Sequence, residues 1–270
     1  MNQFPQQAIV LAAGLGTRLK PLTLKIPKPI LPVGEVPILF FNLYLIHRLG
    51  IKNIVLNLHH LPEKITDLLK PARKLGLKLH YSLEPKILGT AGGIAQALSK
   101  MKKVTTLVMN GDILCDIDLK QMVRLHHMTK SVATLACVGK DRAKVSSFVE
   151  SGPGGRIYRI AGGPKRPKAP KGLLKSIFSG IHLLEPKLFR DYERNTYGCV
   201  VRQIYQPALE REERLQAYFH HGDWWDLGSL SELKKVDQCL HRGEASPAMQ
   251  KLYRNVSEWA SPLLDRAQGS

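Results

Sequence analysis

The sequence predicts an α/β protein: a mostly parallel central sheet with helices on both faces, a helical C-terminal appendage, and no β-helix domain. Three observations lead there. Short β-rich runs alternate with segments of helical periodicity through the first half of the chain, the pattern of βαβ units. Near the C-terminus, Leu252, Val256, Trp259 and Leu263 recur at helical spacing. No internal repeat is present, and in particular no hexapeptide array of the kind that stacks into a β-helix.

The elements follow in order. Residues 8–11 read as a strand that runs straight into a glycine loop. Over residues 37–49, Ile38, Phe41, Leu45 and Leu49 keep helical spacing, with Pro37 suited to a first turn and Gly50 to a C-terminal stop. Residues 53–58 predict a strand, 62–69 a helix, 78–82 a strand and about 91–101 a helix. A strand at 105–109, a helix at about 119–128 and a strand at 132–138 complete the first half. From 140 to 175 glycine, proline and lysine become frequent, which predicts a hairpin or loop insertion rather than further βαβ winding. Residues 177–183 then predict a strand and 200–212 a helix. The Ser229-Leu230-Ser231-Glu232 sequence fits a capping box opening another helix. The simplest organisation is one α/β domain over residues 1–233 and a helical tail over 234–270.

Bulk composition narrows the class. The chain has 270 residues, 44% hydrophobic and 23% charged, ordinary for a soluble globular protein. Cys115, Cys137, Cys199 and Cys239 lie far apart with no CxxC pair, which argues against a zinc site or a disulfide framework. The first seven residues lack the basic start and apolar run of a signal peptide. No apolar stretch approaches the roughly 20 residues of a membrane helix. A cytoplasmic protein without a membrane partner is therefore expected. The formal charge of +18 draws polyanions, whether nucleic acid or small phosphorylated molecules. Part of it forms the run Lys165, Arg166, Lys168, Lys171 and Lys175, which reads equally well as a solvated loop. No zinc-finger, RNA-binding-sheet or basic-zipper signature accompanies it, so no nucleic-acid partner is expected. Monomer and dimer both stay open.

The most informative stretch runs from Leu11 through Ala12, Ala13, Gly14, Leu15, Gly16, Thr17 and Arg18 to Leu19. Glycines between a strand and a helix-like segment let backbone N–H groups approach a phosphate chain without side-chain collision. Thr17 adds a hydroxyl, and Arg18 a cation able to grip phosphate oxygens in a bidentate fashion. Lys28, held between Pro27 and Pro29, adds a point charge on a restricted backbone. A P-loop needs a Gly-Lys-Ser/Thr ending that is missing here, and Leu19 stands where a dinucleotide-binding fingerprint needs a small residue. The remaining alternative is a tight turn that binds nothing.

These residues, with Pro21-Leu22-Thr23 and Pro27-Lys28-Pro29, resemble the signature of the sugar-1-phosphate nucleotidylyltransferases. The resemblance extends in order to Gly89-Thr90-Ala91-Gly92-Gly93, Asn110-Gly111-Asp112, Phe178-Ser179-Gly180-Ile181 and Trp225-Asp226-Leu227-Gly228. It implies a Rossmann-like domain that joins a nucleoside triphosphate to a sugar 1-phosphate with release of pyrophosphate. It also implies nucleotide contacts from Leu11, Ala13, Gly14, Gly16, Thr17, Arg18, Gly89 and Gly92. Arg18 would lie near the departing pyrophosphate. Lys28 would bridge the α-phosphate and the sugar phosphate, and Gly180 and Lys165 would help bind the sugar phosphate.

Asp112 follows an apolar strand, at the C-terminal end where open α/β sheets bind ligands. On its own it reads either as a turn residue or as a ligand of a hard cation. The resemblance implies that Asp112 and Asp226 together hold Mg²⁺. Asp116 and Asp118 read as turn and helix N-cap residues. Of the histidines, only His60 is placed where it could touch substrate; the pairs as a whole read as surface or packing residues. Arg18 and Lys28 are both expected to be exposed. One departure bears on specificity. Many relatives that handle glucose or mannose carry Glu-Lys-Pro before the strand at 177–183, where this chain reads Ala161-Gly162-Gly163-Pro164-Lys165-Arg166-Pro167. With the absent β-helix, this resembles the N-acetylmuramate 1-phosphate uridylyltransferases. The short mannose-1-phosphate guanylyltransferases are the alternative.

Overall fold

Strand β1 (Gln7–Leu11) opens the chain, with Ala8, Ile9 and Val10 fully buried. A computed structural model of the protein describes residues 5–139, 148–163 and 169–264. After the glycine loop, β2 (Pro32–Val33) and β3 (Val36–Pro37) pair antiparallel and lead into α1 (Ile38–Arg48). There follow β4 (Asn53–Leu58), α2 (Pro62–Leu69), β5 (Lys78–Leu83), α3 (Gly89–Leu98), β6 (Thr106–Asn110) and β7 (Ile113–Cys115). Next come α4 (Leu119–Thr129), β8 (Ala133–Gly139), β9 (Val149–Ser151), β10 (Ile157–Ile160) and β11 (Leu174–Leu184). The last elements are α5 (Gln206–Glu210), β12 (Leu215–Phe219), β13 (Trp224–Asp226), α6 (Leu230–His241) and α7 (Pro247–Leu264). The α/β class, a mixed and mostly parallel sheet with helices, is the one expected from the sequence.

The chain falls into two compact units. The first comprises the residues up to Ile9, Ile87–Met109 and Asp118–His221. Within it, hydrogen-bonded neighbours run β10, β9, β11, β6, with β8 on β11 and β12 on β8. Strands β6, β8, β9 and β12 point one way and β10 and β11 the other. Strands β9 and β10, which lie within 140–175, pair antiparallel. Along β11 the pairing with β8 jumps from Phe178↔Cys137 to His182↔Leu135, and Gly180 takes a φ of 85° inside that irregularity. A left-handed φ within a strand is the conformation only glycine enters without strain. Helix α4 starts on Asp118, whose carboxylate accepts from the N–H groups of Lys120 and Gln121, as its reading as an N-cap requires.

One element differs from expectation. Residues 200–212 are not a single α-helix: a π-helical turn, Val201–Tyr205, precedes the short α5. Pro207 explains the change, because it has no N–H to complete the α-type bond to Gln203. Tyr205 of that turn is fully buried and hydrogen-bonds His182, whose pKa burial lowers to about 3, so the ring is neutral.

The second unit comprises Val10–Lys86, Asn110–Ile117 and the chain from Gly222 onward. Here β4 and β5 pair in parallel from Asn53↔Lys78 to Leu58↔Leu83, and β7 pairs antiparallel with β13. Helix α6 begins at Ser229, as expected, with Ser229 Oγ accepting from the Glu232 N–H. Helix α7 buries Met249, Leu252, Val256, Ala260 and Leu263, a stripe at spacings of three and four. It rests on α1, with Tyr253 stacked on Phe41 at 6.2 Å and Trp259 edge-on to Tyr44 at 5.6 Å.

Candidate active site

Leaving β1, the backbone N–H of Ala12 donates to Asn57 Oδ1 at 2.7 Å rather than to a neighbouring strand. The loop then turns at Gly16, whose φ of 61° is left-handed. A Cβ there would also lie 2.8 Å from Thr23 Cγ2 and 3.1 Å from Lys28 Cβ. Both facts require glycine. Gly14 has open space around it. The Gly16 carbonyl accepts from Leu19 N–H and from Thr23 Oγ1, each at 2.9 Å, which closes the turn over Thr17–Leu19 and leaves Thr17 and Arg18 exposed. Leu11 is half-buried and Ala13 buried, so their side chains anchor the loop rather than line it. His60 bonds the Thr23 carbonyl through Nε2 at 2.6 Å, which gives it a bracing role at this turn.

Lys28 opens a short 3₁₀ turn after Pro27. Contrary to the expectation of exposure, it is 6% exposed. The stem is covered and the ammonium reaches Asp112 Oδ2 at 2.5 Å and Asp226 Oδ1 at 3.8 Å. A lysine tolerates such burial when its charge is met by carboxylates. The two acids are brought together by the β7–β13 pair, in which Asp226 sits opposite Ile113, and by the Leu227 N–H bond to the Asp112 carbonyl. Gly111 holds Asp112 in place from the other side: its N–H donates to the Leu11 carbonyl at 2.8 Å, and a Cβ would crowd that oxygen at 2.9 Å.

Partial burial and the charge of Asp112 push the Asp226 carboxyl above its ordinary range, while Lys28 and Arg18 pull it down and Glu232 adds a smaller upward push. A carboxylate whose charged form a second one disfavours, with both pointing to one place, is the donor set a hard divalent cation relieves. Arg18 completes the group. A Cβ on Gly228 would collide with its guanidinium, so glycine at 228 lets the arginine lie over the Asp226-Leu227-Gly228 turn. In the sequence Gly228 stands only as the end of the Trp225-Asp226-Leu227-Gly228 motif; nothing there reveals that distant contact.

The other expected residues have separate surroundings. In the first unit, Gly89 has a φ of 67°, and a Cβ on it would collide with the Gly198 carbonyl; one on Gly92 would collide with that of Thr196. The Ala91 N–H donates to Gly198 and the Gly198 N–H to the Leu88 carbonyl, so this glycine turn is stitched to residues 196–200 by close backbone approach. Gly180 is buried in the β11 irregularity. Lys165 lies outside the described residues. Of the basic run, Lys175 is described with its ammonium 5.6 Å from the Phe148 ring.

The family model for nucleotidyl transferases matches residues 7–242. The chain belongs to the nucleotidyl transferase family. Among relatives of this nucleotidyl transferase, the mannose-1-phosphate guanylyltransferase of Mycobacterium tuberculosis is 30% identical over 246 residues, covering 90% of this chain and 67% of that protein. The N-acetylmuramate α-1-phosphate uridylyltransferase of Neisseria meningitidis is 32% identical over 237 residues, covering 85% of this chain and 96% of that one. A solved UDP-glucose pyrophosphorylase in complex with UDP-glucose shares the fold with a TM-score of 0.72 at 21% identity, covering 88% of this chain and 99% of that one. The reaction class is sugar-1-phosphate nucleotidyl transfer. Among the described residues, no helix is long and apolar enough to cross a membrane.

Proposed function

We propose that this nucleotidyl transferase moves UMP from UTP to N-acetylmuramate 1-phosphate, giving the UDP-sugar and pyrophosphate, with Mg²⁺ as cofactor and in the cytoplasm. The observation that carries the chemistry is the grouping of Lys28, Asp112, Asp226 and Arg18. The nucleophile is a sugar phosphate oxygen already ionised at pH 7, so no strong base is needed. Its attack forms a new bond to the α-phosphorus as the bond to the bridging oxygen of pyrophosphate breaks, and the electron pair leaves with pyrophosphate. Catalysis then rests on positioning and on charge stabilisation. Lys28 holds the attacking phosphate against the α-phosphate. Arg18 takes up the charge growing on pyrophosphate, and Gly14, Gly16 and Thr17 offer backbone and hydroxyl donors to the triphosphate. Bound to Asp112 and Asp226, Mg²⁺ would supply a Lewis acid for the phosphate oxygens. Residues 1–233 carry this chemistry and 234–270 form an appendage, with Gly89 and Gly92 on the nucleotide and Gly180 and Lys165 on the sugar phosphate.

The uridylyl and N-acetylmuramate assignment is supported by the meningococcal relative, of which the chain covers 96%, and by the missing Glu-Lys-Pro before β11. GTP with mannose 1-phosphate is the second reading, favoured by the mycobacterial relative. The test is pyrophosphate release with Mg²⁺ from each of UTP, GTP, dTTP, CTP and ATP against a panel of sugar 1-phosphates. Turnover confined to GTP and mannose 1-phosphate overturns the substrate assignment and leaves the reaction class intact.

A further inference from the structure

We infer that Asn57 is a positioning residue for the phosphate loop, and that Glu84 sets its orientation. The inference rests on the reading of Gly14–Arg18 as the triphosphate cradle. Ala12 is the first residue past β1, and its N–H faces the protein interior, where an unmade hydrogen bond is costly. The acceptor it finds is a side chain, Asn57 Oδ1, on the penultimate residue of β4. Asn57 is 3% exposed and its Nδ2 donates to Glu84 Oε1 at 2.7 Å; Glu84 is also 3% exposed. The carboxamide has one orientation here. A backbone N–H only donates, so Oδ1 must face Ala12, and Nδ2 must then face an acceptor.

Glu84 is fixed by backbone on both sides. Its N–H donates to the Leu58 carbonyl at 2.8 Å, extending the β4–β5 ladder by one step, and His59 Nδ1 bonds its carbonyl at 2.7 Å. The loop's first peptide is thus tied through two buried side chains to the ends of β4 and β5. A carboxamide serves this purpose where a serine or alanine would not, because it accepts from the loop and donates to the anchor at once. In the loop downstream, Gly14 has open space around it and Arg18 is exposed. Its entry direction is therefore set at Ala12.

The polarity of this relay gives a clean test. Asn57→Leu keeps the shape and removes both hydrogen-bonding ends. The double variant Asn57→Asp/Glu84→Gln keeps total charge and atom count but reverses the second bond: the residue-57 carboxylate accepts from Ala12 and from the new amide. Amide hydrogen exchange at Ala12 is expected to quicken in Asn57→Leu and to return to wild type in the double variant. The kcat/KM for the triphosphate should fall on the order of 10- to 100-fold in the first and recover in the second, as expected for a misplaced cradle. KM for the sugar 1-phosphate should not change. If Asn57→Leu does not fold, Asn57→Ala, which also removes both hydrogen-bonding ends, takes its place. Unchanged exchange at Ala12, or altered exchange with unaltered triphosphate kinetics, overturns the inference. A wild-type protein silent with every substrate pair would refute the proposed reaction instead; calorimetric binding of the triphosphate, followed across the same variants, would then decide the role of Asn57.

Discussion

Replacing Lys28 by methionine keeps a stem of similar length in a covered channel and removes only the charge. The cost to stability follows from what the charge leaves behind. Stripping one partner from a fully buried ion pair costs about 3–5 kcal/mol. Here the lysine side chain is 8% exposed but Asp112 is 33% and Asp226 47% exposed, so water screens the two carboxylates that remain. A loss of about 1–2 kcal/mol is expected, and the protein should fold. The catalytic cost is larger. One preorganised group aimed at developing charge is worth about 3–4 kcal/mol, or roughly 10²–10³ in kcat. A third effect is diagnostic. Lys28 pulls the Asp226 carboxyl down, so its removal lets burial and Asp112 raise that carboxyl further. If Asp226 acts ionised, the acid limb of the kcat–pH profile moves to higher pH in Lys28→Met. Pyrophosphate release measured across pH, beside a thermal melt, reads all three. Wild-type turnover in a folded variant would refute the assignment of Lys28.

Arg18→Ala is expected to lose about 2 kcal/mol or more of transition-state stabilisation, and Gly228→Ala should lose less, because its methyl shifts the tip of the same flexible side chain without removing it. In the double variant the two losses should not add, and full additivity in kcat/KM would show that Gly228 acts independently. For Asp226 the folded-state carboxyl lies above its unfolded value, so its contribution favours the folded state below the unfolded pKa and is lost as pH rises through the folded one. Without divalent metal, Asp226→Asn should therefore melt at a higher temperature than wild type at pH 7, with the gain vanishing below about pH 4; turnover should fall. A lower melting point at pH 7 contradicts this. Chelator should abolish wild-type turnover, and added Mg²⁺ should raise the melting point of wild type but not of Asp112→Asn. Full activity in excess EDTA rules the cofactor out.

The elements legible in the sequence are those long enough to show a period. Strand β4 and helix α2 fall on the residues expected, and α1, α4 and α6 carry their own start signals in Pro37, Asp118 and Ser229. Strands β7 and β13 have three residues each, too few for any period to register. Yet they bring Asp112 and Asp226 to one point, so that meeting could be named only through resemblance. The burial of Lys28 was illegible for a related reason: a lysine between prolines looks exposed until its partner acids, brought from far along the chain, are in view. The relay through Asn57 and Glu84 is hidden likewise, since Asn57 follows the apolar run Ile54–Leu56 and reads as a polar interruption near the end of the strand.

The site also qualifies the meaning of the chain's charge. The +18 net charge invites the view that anionic substrates are drawn by the residues that react with them. The central group argues otherwise: Arg18 and Lys28 carry two positive charges, and Asp112 and Asp226 two negative ones, so the cluster is neutral. Lys28 spends its charge on the acids rather than presenting it to solvent. Attraction at a distance must come from lysines and arginines elsewhere, and salt should weaken it over a Debye length of roughly 8–10 Å. A divalent cation on the two carboxylates would take the cluster from neutral to doubly positive. Capture and chemistry are thus separable: salt should raise KM for both anions while leaving kcat nearly untouched, whereas loss of the cation should remove kcat.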